Sequence, residues 1–460
     1  MAWYNNIFNG NKPKTKQFKR SYQGANTGRL FADFFTSSNS ADAEIKDNLR
    51  ILRDRARELS RNDSYISRYL ALMVSNIIGK HGIRVSSKSR NDNNSLDLRA
   101  NQLIEKAWND WGRMGNCTAN GRMSFLDCQK LAVESLFRDG EVLIRKIKNK
   151  NNPFGFELAF LESDHLDENL NDNNLKNGNK IKMGVELNNF GRPVAYHLFK
   201  DHPFDQTYQT ENHHIRVPAD EIIHIFMPTR PEQTRGVTPI ATCMANIQLL
   251  KGYLQAEITS ARIGASKMGF LVSGSGDEYV GDGIDDDGFS PTMSAEPGTF
   301  EQLPSGVTLQ SWDPSHPNSA FDGFMTSVLR SIASGLNISY HSLSNDLSSV
   351  NYSSIRQGAL EDRSSFALHQ QLLIDHFIEP VYRSWLEMAI STGYINLPIN
   401  KYNKFADSVS FIPRSFPWID PLKEMQAHIL GLQNGTTTYS DIASNAGRDV
   451  EELFEQHQKE

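Results

Sequence analysis

Three cysteines in 460 residues, Cys117, Cys128 and Cys243, make neither a disulfide framework nor a metal knuckle. They read as buried or idle thiols of a reducing compartment. No apolar run approaches the roughly 18 to 20 residues that cross a bilayer, so the sequence predicts no membrane span. The early cations Lys12, Lys14, Lys16, Lys19, Arg20 and Arg29 have no apolar core behind them, so they do not form a signal peptide. Residues 1–40 read instead as a basic, mobile arm. Walker A, G-x-G-x-x-G and G-x-S-x-G patterns are all missing. An ATP-driven motor is therefore excluded for this chain alone. Motifs that read duplex DNA, and aromatics interleaved with cations for stacking on bases, are absent too.

A local absence is sharper. From Met268 to Leu329 there is no lysine or arginine. Ten acids occupy the same stretch: Asp277, Glu278, Asp282, Asp285, Asp286, Asp287, Glu296, Glu301, Asp313 and Asp322. Short strand-like runs flank its centre, Gly269 to Ser273 and Gly306 to Trp312. Asp282 to Gly288 invites a calcium reading, but no frame there matches the EF-hand spacing. It reads as a solvated acidic turn and as a surface for a basic partner. The whole chain carries net charge −6, with 38% hydrophobic residues and a mean hydropathy of −0.49. That balance suits a protein that spreads its burial over subunit contacts.

What is present is mostly amphipathic helix. Ile45, Leu49, Leu52, Ala56 and Leu59 mark one apolar face. Asn62-Asp63-Ser64 interrupts it and caps a second helix bearing Ile66, Tyr69, Leu70, Met73 and Ile77. Gly79 and Gly82 close that helix. Further helices are predicted over about 96–111 and 125–138. Residues 147–230 look mainly β, with runs at 156–161, 183–187, 193–198 and 221–226, and a hairpin turn at Asn188 to Gly191. Phe226 to Ile240, FMPTRPEQTRGVTPI, can be neither helix nor central strand. Thr238-Pro239 then starts a long helix, with a hydroxyl N-cap and proline at the first position. Cys243, Ile247, Leu250, Leu254, Ile258, Ala261 and Ala265 stripe that helix over roughly 28 residues, about 40 Å. One apolar stripe of that length needs a partner along all of it, and a second copy of the chain would supply one. A second helix follows at about 320–334, then a polar loop, Asn337 to Asn351. A last long helix, capped by Ser353, reaches about Ser391 and should be kinked at Glu379-Pro380. Residues 393–415 look strand-like, and 419–456 form a helical tail.

His213, His214 and His224 lie near Glu211, Asp220 and Glu221, but not at metal-site spacing. His224, inside the apolar run IIHIF, reads as a hydrogen-bonded core histidine. The tryptophans Trp108 and Trp111 read as core.

Several tracts, in their order and spacing, resemble the portal proteins of lambda-like tailed bacteriophages. They are LRDRARELSRNDSYISRYLALMVSNIIGKHGIRV (Leu52 to Val85), RDGEVLIRK (Arg138 to Lys146), the arm and helix just described, and NISYHSLSNDLSSVNYSSIRQGALEDR (Asn337 to Arg363). The likeness runs from about residue 40 to 455. It implies an α+β phage portal fold: a mixed α/β wing at 41–235, a stem helix at 236–266 and a small α/β clip at 267–316. A second stem helix at 317–335, a tunnel loop at 336–352, a long wing helix at 353–392 and a helical C-terminal crown at 393–460 complete it. It further implies a homo-oligomeric ring, dodecameric in the virion, at one capsid vertex beside the major capsid protein, assembled in the host cytoplasm. Double-stranded DNA would pass through the ring without sequence preference. The large terminase subunit and a head-completion or connector protein would dock on the clip. Asn345, Asp346, Ser348, Ser349 and Asn351 would face the DNA, and lysine at Asn345 and Ser348 is expected to slow packaging. The resemblance implies no cofactor, no metal and no catalysis. A cation-poor wall fits such a bore, because each phosphate contact by Lys or Arg would hold the duplex in place. The rival classes are a metal-dependent hydrolase built on Asp282 to Asp287 and a monomeric adaptor for a basic partner.

Overall fold

The computed structural model describes residues 29, 38–205, 214–265, 269–273, 307–311, 320–348, 352–416, 421–445, 448 and 450–459. Three helices open it: α1 (Ala41–Lys46), α2 (Leu49–Asn62) and α3 (Ser64–Ile77). The Asp63 carboxylate accepts from the amides of Tyr65 and Ile66 at 3.0 and 2.9 Å and so starts α3. Gly79 and Gly82 follow with φ of +66° and +71°, which ends the helix as its sequence foretells. After β1 (Arg84–Ser87) come α4 (Leu98–Trp111) and α5 (Phe125–Asp139), the latter set by a reciprocal Ser124–Asp127 capping box.

Two small sheets come next. Strands β2 (Glu141–Lys148) and β3 (Phe156–Leu161) pair antiparallel. Strands β4 (Lys180–Lys182), β5 (Val185–Leu187), β6 (Pro193–Phe199) and β7 (His214–Pro218) form an antiparallel meander. Strand β5 starts two residues later than its apolar run, because Met183 and Gly184 turn with φ of +44° and +82°. Strand β8 (Ile222–Phe226) returns to pair with β2, giving the order β3-β2-β8.

The helix expected from Pro239 is shorter and split. Pro239–Thr242 forms a 3-10 turn, and α6 (Met244–Ala265) follows. Its 22 residues span about 33 Å. The Thr242 hydroxyl donates to the Gly335 carbonyl at 2.7 Å, so this first turn is tied to the end of another helix rather than continuing the α geometry. Strands β9 (Gly269–Ser273) and β10 (Val307–Ser311) pair antiparallel, as their positions around the acidic stretch suggest. Helix α7 (Phe321–Gly335) returns along α6; Tyr253 meets Phe324 at 4.6 Å between ring centres.

The polar stretch after α7 is not all loop: Tyr340–Ser344 forms a short helix, α8, with Ser339 as its N-cap. Helix α9 (Tyr352–Leu373) leads into a π-helical turn, Ile374–Ile378, and then α10 (Glu379–Ser391). Pro380 lacks an amide hydrogen, and the widened turn absorbs the missing bond. Residues 393–415 depart from the strand-like expectation. Phe405 and Ala406 are buried on a short helix, α11 (Tyr402–Asp407), and only β11 (Val409–Ile412) is extended, pairing with β1. Helices α12 (Pro421–Gln433), α13 (Tyr439–Asn445) and α14 (Val450–Lys459) end the chain.

One core joins these distant segments. Trp108 and Trp111 of α4, Phe125 of α5, and Tyr382 and Trp385 of α10 pack as an aromatic cluster, with Trp108 and Trp385 centred 5.0 Å apart. The Trp111 indole donates to the Phe156 carbonyl of β3 at 3.0 Å. The cysteines are free thiols, all buried.

Candidate functional site

The polar arm before α6 is anchored by a buried charge hub. Glu141, the first residue of β2, is fully buried. Its carboxylate accepts from the Arg235 Nε at 2.9 and 3.0 Å, from Arg53 Nη2 at 3.0 Å and from the Gly236 amide at 2.9 Å. His224 Nε2 lies 3.0 Å from it, so this histidine is a hydrogen-bonded core residue, as its apolar surroundings suggest. Burial pushes the Glu141 carboxyl up, but Arg235 and His224 outweigh it and hold it well below the usual carboxylate range. Arg235, also fully buried, spends its remaining donors on the carbonyls of Leu166, Met183 and Ser163. Such a pair is stable only when every donor finds a partner.

The rest of the arm is held just as locally. Gln233 Oε1 accepts from the Thr229 amide at 2.8 Å, and Thr234 binds Asp42 through both amide and hydroxyl. Gly236 faces Gly140 at the α5–β2 turn; a Cβ on Gly236 would lie 2.2 Å from the Gly140 carbonyl oxygen. The chain therefore reaches α6 along a rigid path. Sequence reading singled out the arm but not Glu141, whose only mark is an acid directly before the apolar run Val142-Leu143-Ile144.

Along α6 the apolar stripe changes character. Cys243, Ile247 and Leu250 are buried, Leu254 is half-buried, and Ile258 is 59% exposed. Leu249, outside the predicted stripe, is 72% exposed.

Beyond α7, the predicted loop residues sit in a small polar knot. Asp362 of α9 accepts from the Ser339 amide and hydroxyl at 2.8 Å each, and from the Ser342 hydroxyl at 2.6 Å. Asn345 ends α8 with φ +57°, and its Oδ1 accepts from Arg68 of α3 at 3.2 Å. Asp346 accepts from the Ser348 hydroxyl at 2.6 Å, the Ser348 amide and the Tyr340 hydroxyl, which hold its carboxyl down at about 2. The structure thus brings Asn345, Asp346 and Ser348 into one turn. Ser349 and Asn351 lie outside the described residues. Sequence reading saw few cations here; Arg68 arrives from α3, and Arg330 of α7 lies over the Tyr340 ring at 5.5 Å. Only the fold could bring them together.

The acids Asp277, Glu278, Asp282, Asp285, Asp286 and Asp287 also lie outside the described residues, as does His213. Among the described histidines, His197, His202 and His214 lie within 3.2 Å of Glu186, Glu162 and Asp167. Glu162, Asp164 and His202 converge closely enough to hold a cation. Arg57 already lies 2.7 Å from Asp164 and 3.6 Å from Glu162, and Arg53 takes the other Asp164 oxygen. Guanidinium groups fill the role a metal would have.

The model of the lambda family of phage portal proteins matches residues 27–370. The chain belongs to that family. A probable portal protein of Halomonas phage phiHAP-1 is 34% identical over 451 residues, 96% of this chain and 86% of that protein. The portal protein of Escherichia phage N15 is 23% identical, covering 92% and 86%. Portal protein B of Escherichia phage lambda is 22% identical, covering 95% and 88%. Among solved structures, the neck of an empty GTA particle, computed with C6 symmetry, is 13% identical over 92% of this chain and 99% of the other, with a TM-score of 0.47. The virion of a native gene transfer agent particle is 12% identical over 92% and 99%, with a TM-score of 0.44. The mixed helix and sheet architecture is the one expected of a portal, and nothing supports the hydrolase alternative.

Proposed function

We propose that copies of this portal chain close into a ring, dodecameric in the virion, that conducts double-stranded DNA through one capsid vertex during packaging and ejection. The wing is 41–235, the stem 236–266 and 317–335, the clip 267–316, the tunnel loop 336–352, the long wing helix 353–392 and the crown 393–460. The observation that carries the ring is the α6 stripe. Cys243, Ile247 and Leu250 at its base are buried, while Ile258 two turns on stays in solvent, as does Leu249 on another face of the helix. Apolar side chains left bare along one helix are stabilised by a neighbour that covers them. The chain acts as a conduit without catalysing a reaction. The acidic clip takes the large terminase subunit and later a connector protein, the wing contacts the major capsid protein, and Asn345, Asp346, Ser348, Ser349 and Asn351 face the duplex. Assembly takes place in the host cytoplasm. Negative-stain microscopy with native mass measurement tests the ring. Closed rings of about twelve copies with a central hole are expected. A chain that stays monomeric at high concentration overturns the reading.

A further inference from the structure

Among the described residues, an open groove of about 1400 Å³ runs along α3. From α3 it is lined by Ser67, Ala71 and Ser75, one small residue per turn, with Leu70, Leu72 and Val74 beside them. Its charged lining is unbalanced: six cations against Glu134 and Glu162. Arg57 and Arg138 are committed to Asp139. Arg414 is committed to Ser75 and Asn76. Arg61 and Lys80 stand exposed at the rim, with no ion pair or hydrogen bond among the described residues, and Lys130 approaches Asp127 only to 4.0 Å.

The outer face of α9 has the opposite properties. Leu360, Ser364 and Leu368 stand at the same four-residue interval, and Leu360 and Leu368 are 42% and 74% exposed. Glu361 and Asp375 flank this ridge in solvent. Its two arginines, Arg356 and Arg363, are half-buried, so no exposed cation opposes them.

We infer that, in the ring proposed above, the α9 ridge of one copy docks into the α3 groove of the next. Leu360 and Leu368, two turns apart with Ser364 between them, meet the small residues Ser67, Ala71 and Ser75 of the other helix. Ridges of that interval interdigitate at a crossing near −50°, and small residues in the groove let the axes approach closely. Glu361 and Asp375 then face Arg61, Lys80 and Lys130, which fixes direction and rejects a groove-to-groove contact. The two faces are different surfaces of the chain and are not self-complementary, so the contact is head-to-tail, the kind that builds a ring when its rotation closes.

The test mixes two full-length chains, one carrying Ala71→Cys and one Leu368→Cys, under thiol cross-linking; the native thiols are buried. A cross-linked dimer only in the mixture, with neither chain cross-linking alone, is expected. A second variant, Arg61→Glu with Lys80→Glu, should lower ring yield at least tenfold while keeping the protomer's circular dichroism melt. Adding Glu361→Lys with Asp375→Lys should restore it. Wild-type rings without the mixed dimer, or rings unaffected by charge reversal, overturn this interface and leave the ring standing. A wild-type chain that forms no ring removes both.

Discussion

The two ends of α6 meet opposite fates. At its base, Glu141, Arg235, Arg53 and His224 hold one another within one chain, and Ile247 and Leu250 of the helix are buried. About two turns on, Ile258 of the same stripe faces solvent. The same polypeptide thus over-determines where the helix begins and leaves its far end to be covered by something else. A rigid base under an uncovered shaft is what a subunit needs if it must fold first and assemble later. The direction of α6 is fixed before any neighbour arrives.

The strongest blow to this contrast falls on the hub. Glu141→Gln leaves two buried guanidinium groups without their carboxylate and should cost about 3–5 kcal/mol of protomer stability, measured by urea unfolding at neutral pH. The acid response separates charge from packing. The Glu141 carboxyl lies well below its ordinary 4.5 in the folded chain. Its contribution is therefore complete above about 4.5 and is lost as pH falls through the folded value. Wild type should lose stability more steeply on acidification than the glutamine variant, and parallel curves would discount the charge. Along the helix, Ile247→Ala should cost about 2–5 kcal/mol. Ile258→Ala should stay within about 0.5 kcal/mol in the protomer yet raise the concentration needed for assembly. Equal losses at both positions would erase the difference between base and shaft.

Glycines sharpen it with opposite signs. Gly236→Ala puts a Cβ 2.2 Å from the Gly140 oxygen, 2.6 Å from the Phe226 Cβ and 2.9 Å from the Glu141 Cβ. Backbone has to move, and a loss of about 1–3 kcal/mol is expected in thermal unfolding. In α6, a Cβ on Gly252 meets nothing within 4 Å. There alanine should stabilise by about 0.5–1 kcal/mol, because glycine is a poor helix residue. A loss at Gly252 would mean that something already packs there.

How much of this was legible in the sequence follows the range of the interaction. Local signals carried well: the Asp63 cap, the glycines after α3, the hairpin at Asn188 to Gly191 and the strands flanking the acidic stretch all stand where the residues put them. Periodicity found the α6 stripe but not its gradient of burial, which depends on how far α7 runs alongside. Pro239 was read as a helix start; the 3-10 turn depends on Thr242 reaching Gly335, across 93 positions of sequence. The hub was invisible for the same reason, since Arg53, Glu141 and Arg235 meet only through the fold. In the loop after α7, composition identified the polar residues and missed Arg68 and Asp362, which arrive from α3 and α9.

That loop gives the gentlest probe. Lysine at Asn345 is a blunt test: the position has φ +57°, where other side chains cost about 1–2 kcal/mol, and it would set a cation against Arg68. Ser348 is exposed, and its amide still bonds Asp346 if the hydroxyl is lost. Ser348→Lys should leave protomer stability within about 0.5 kcal/mol and ring yield unchanged. Its effect belongs to moving DNA. In the proposed bore a new cation would form phosphate contacts that release counterions, so packaging should slow, and added salt should weaken those contacts and restore the rate. The measurement is DNA packaged per unit time at two salt concentrations. A rate equal to wild type at low salt would remove this loop from the proposed DNA path while leaving α6 and its hub untouched.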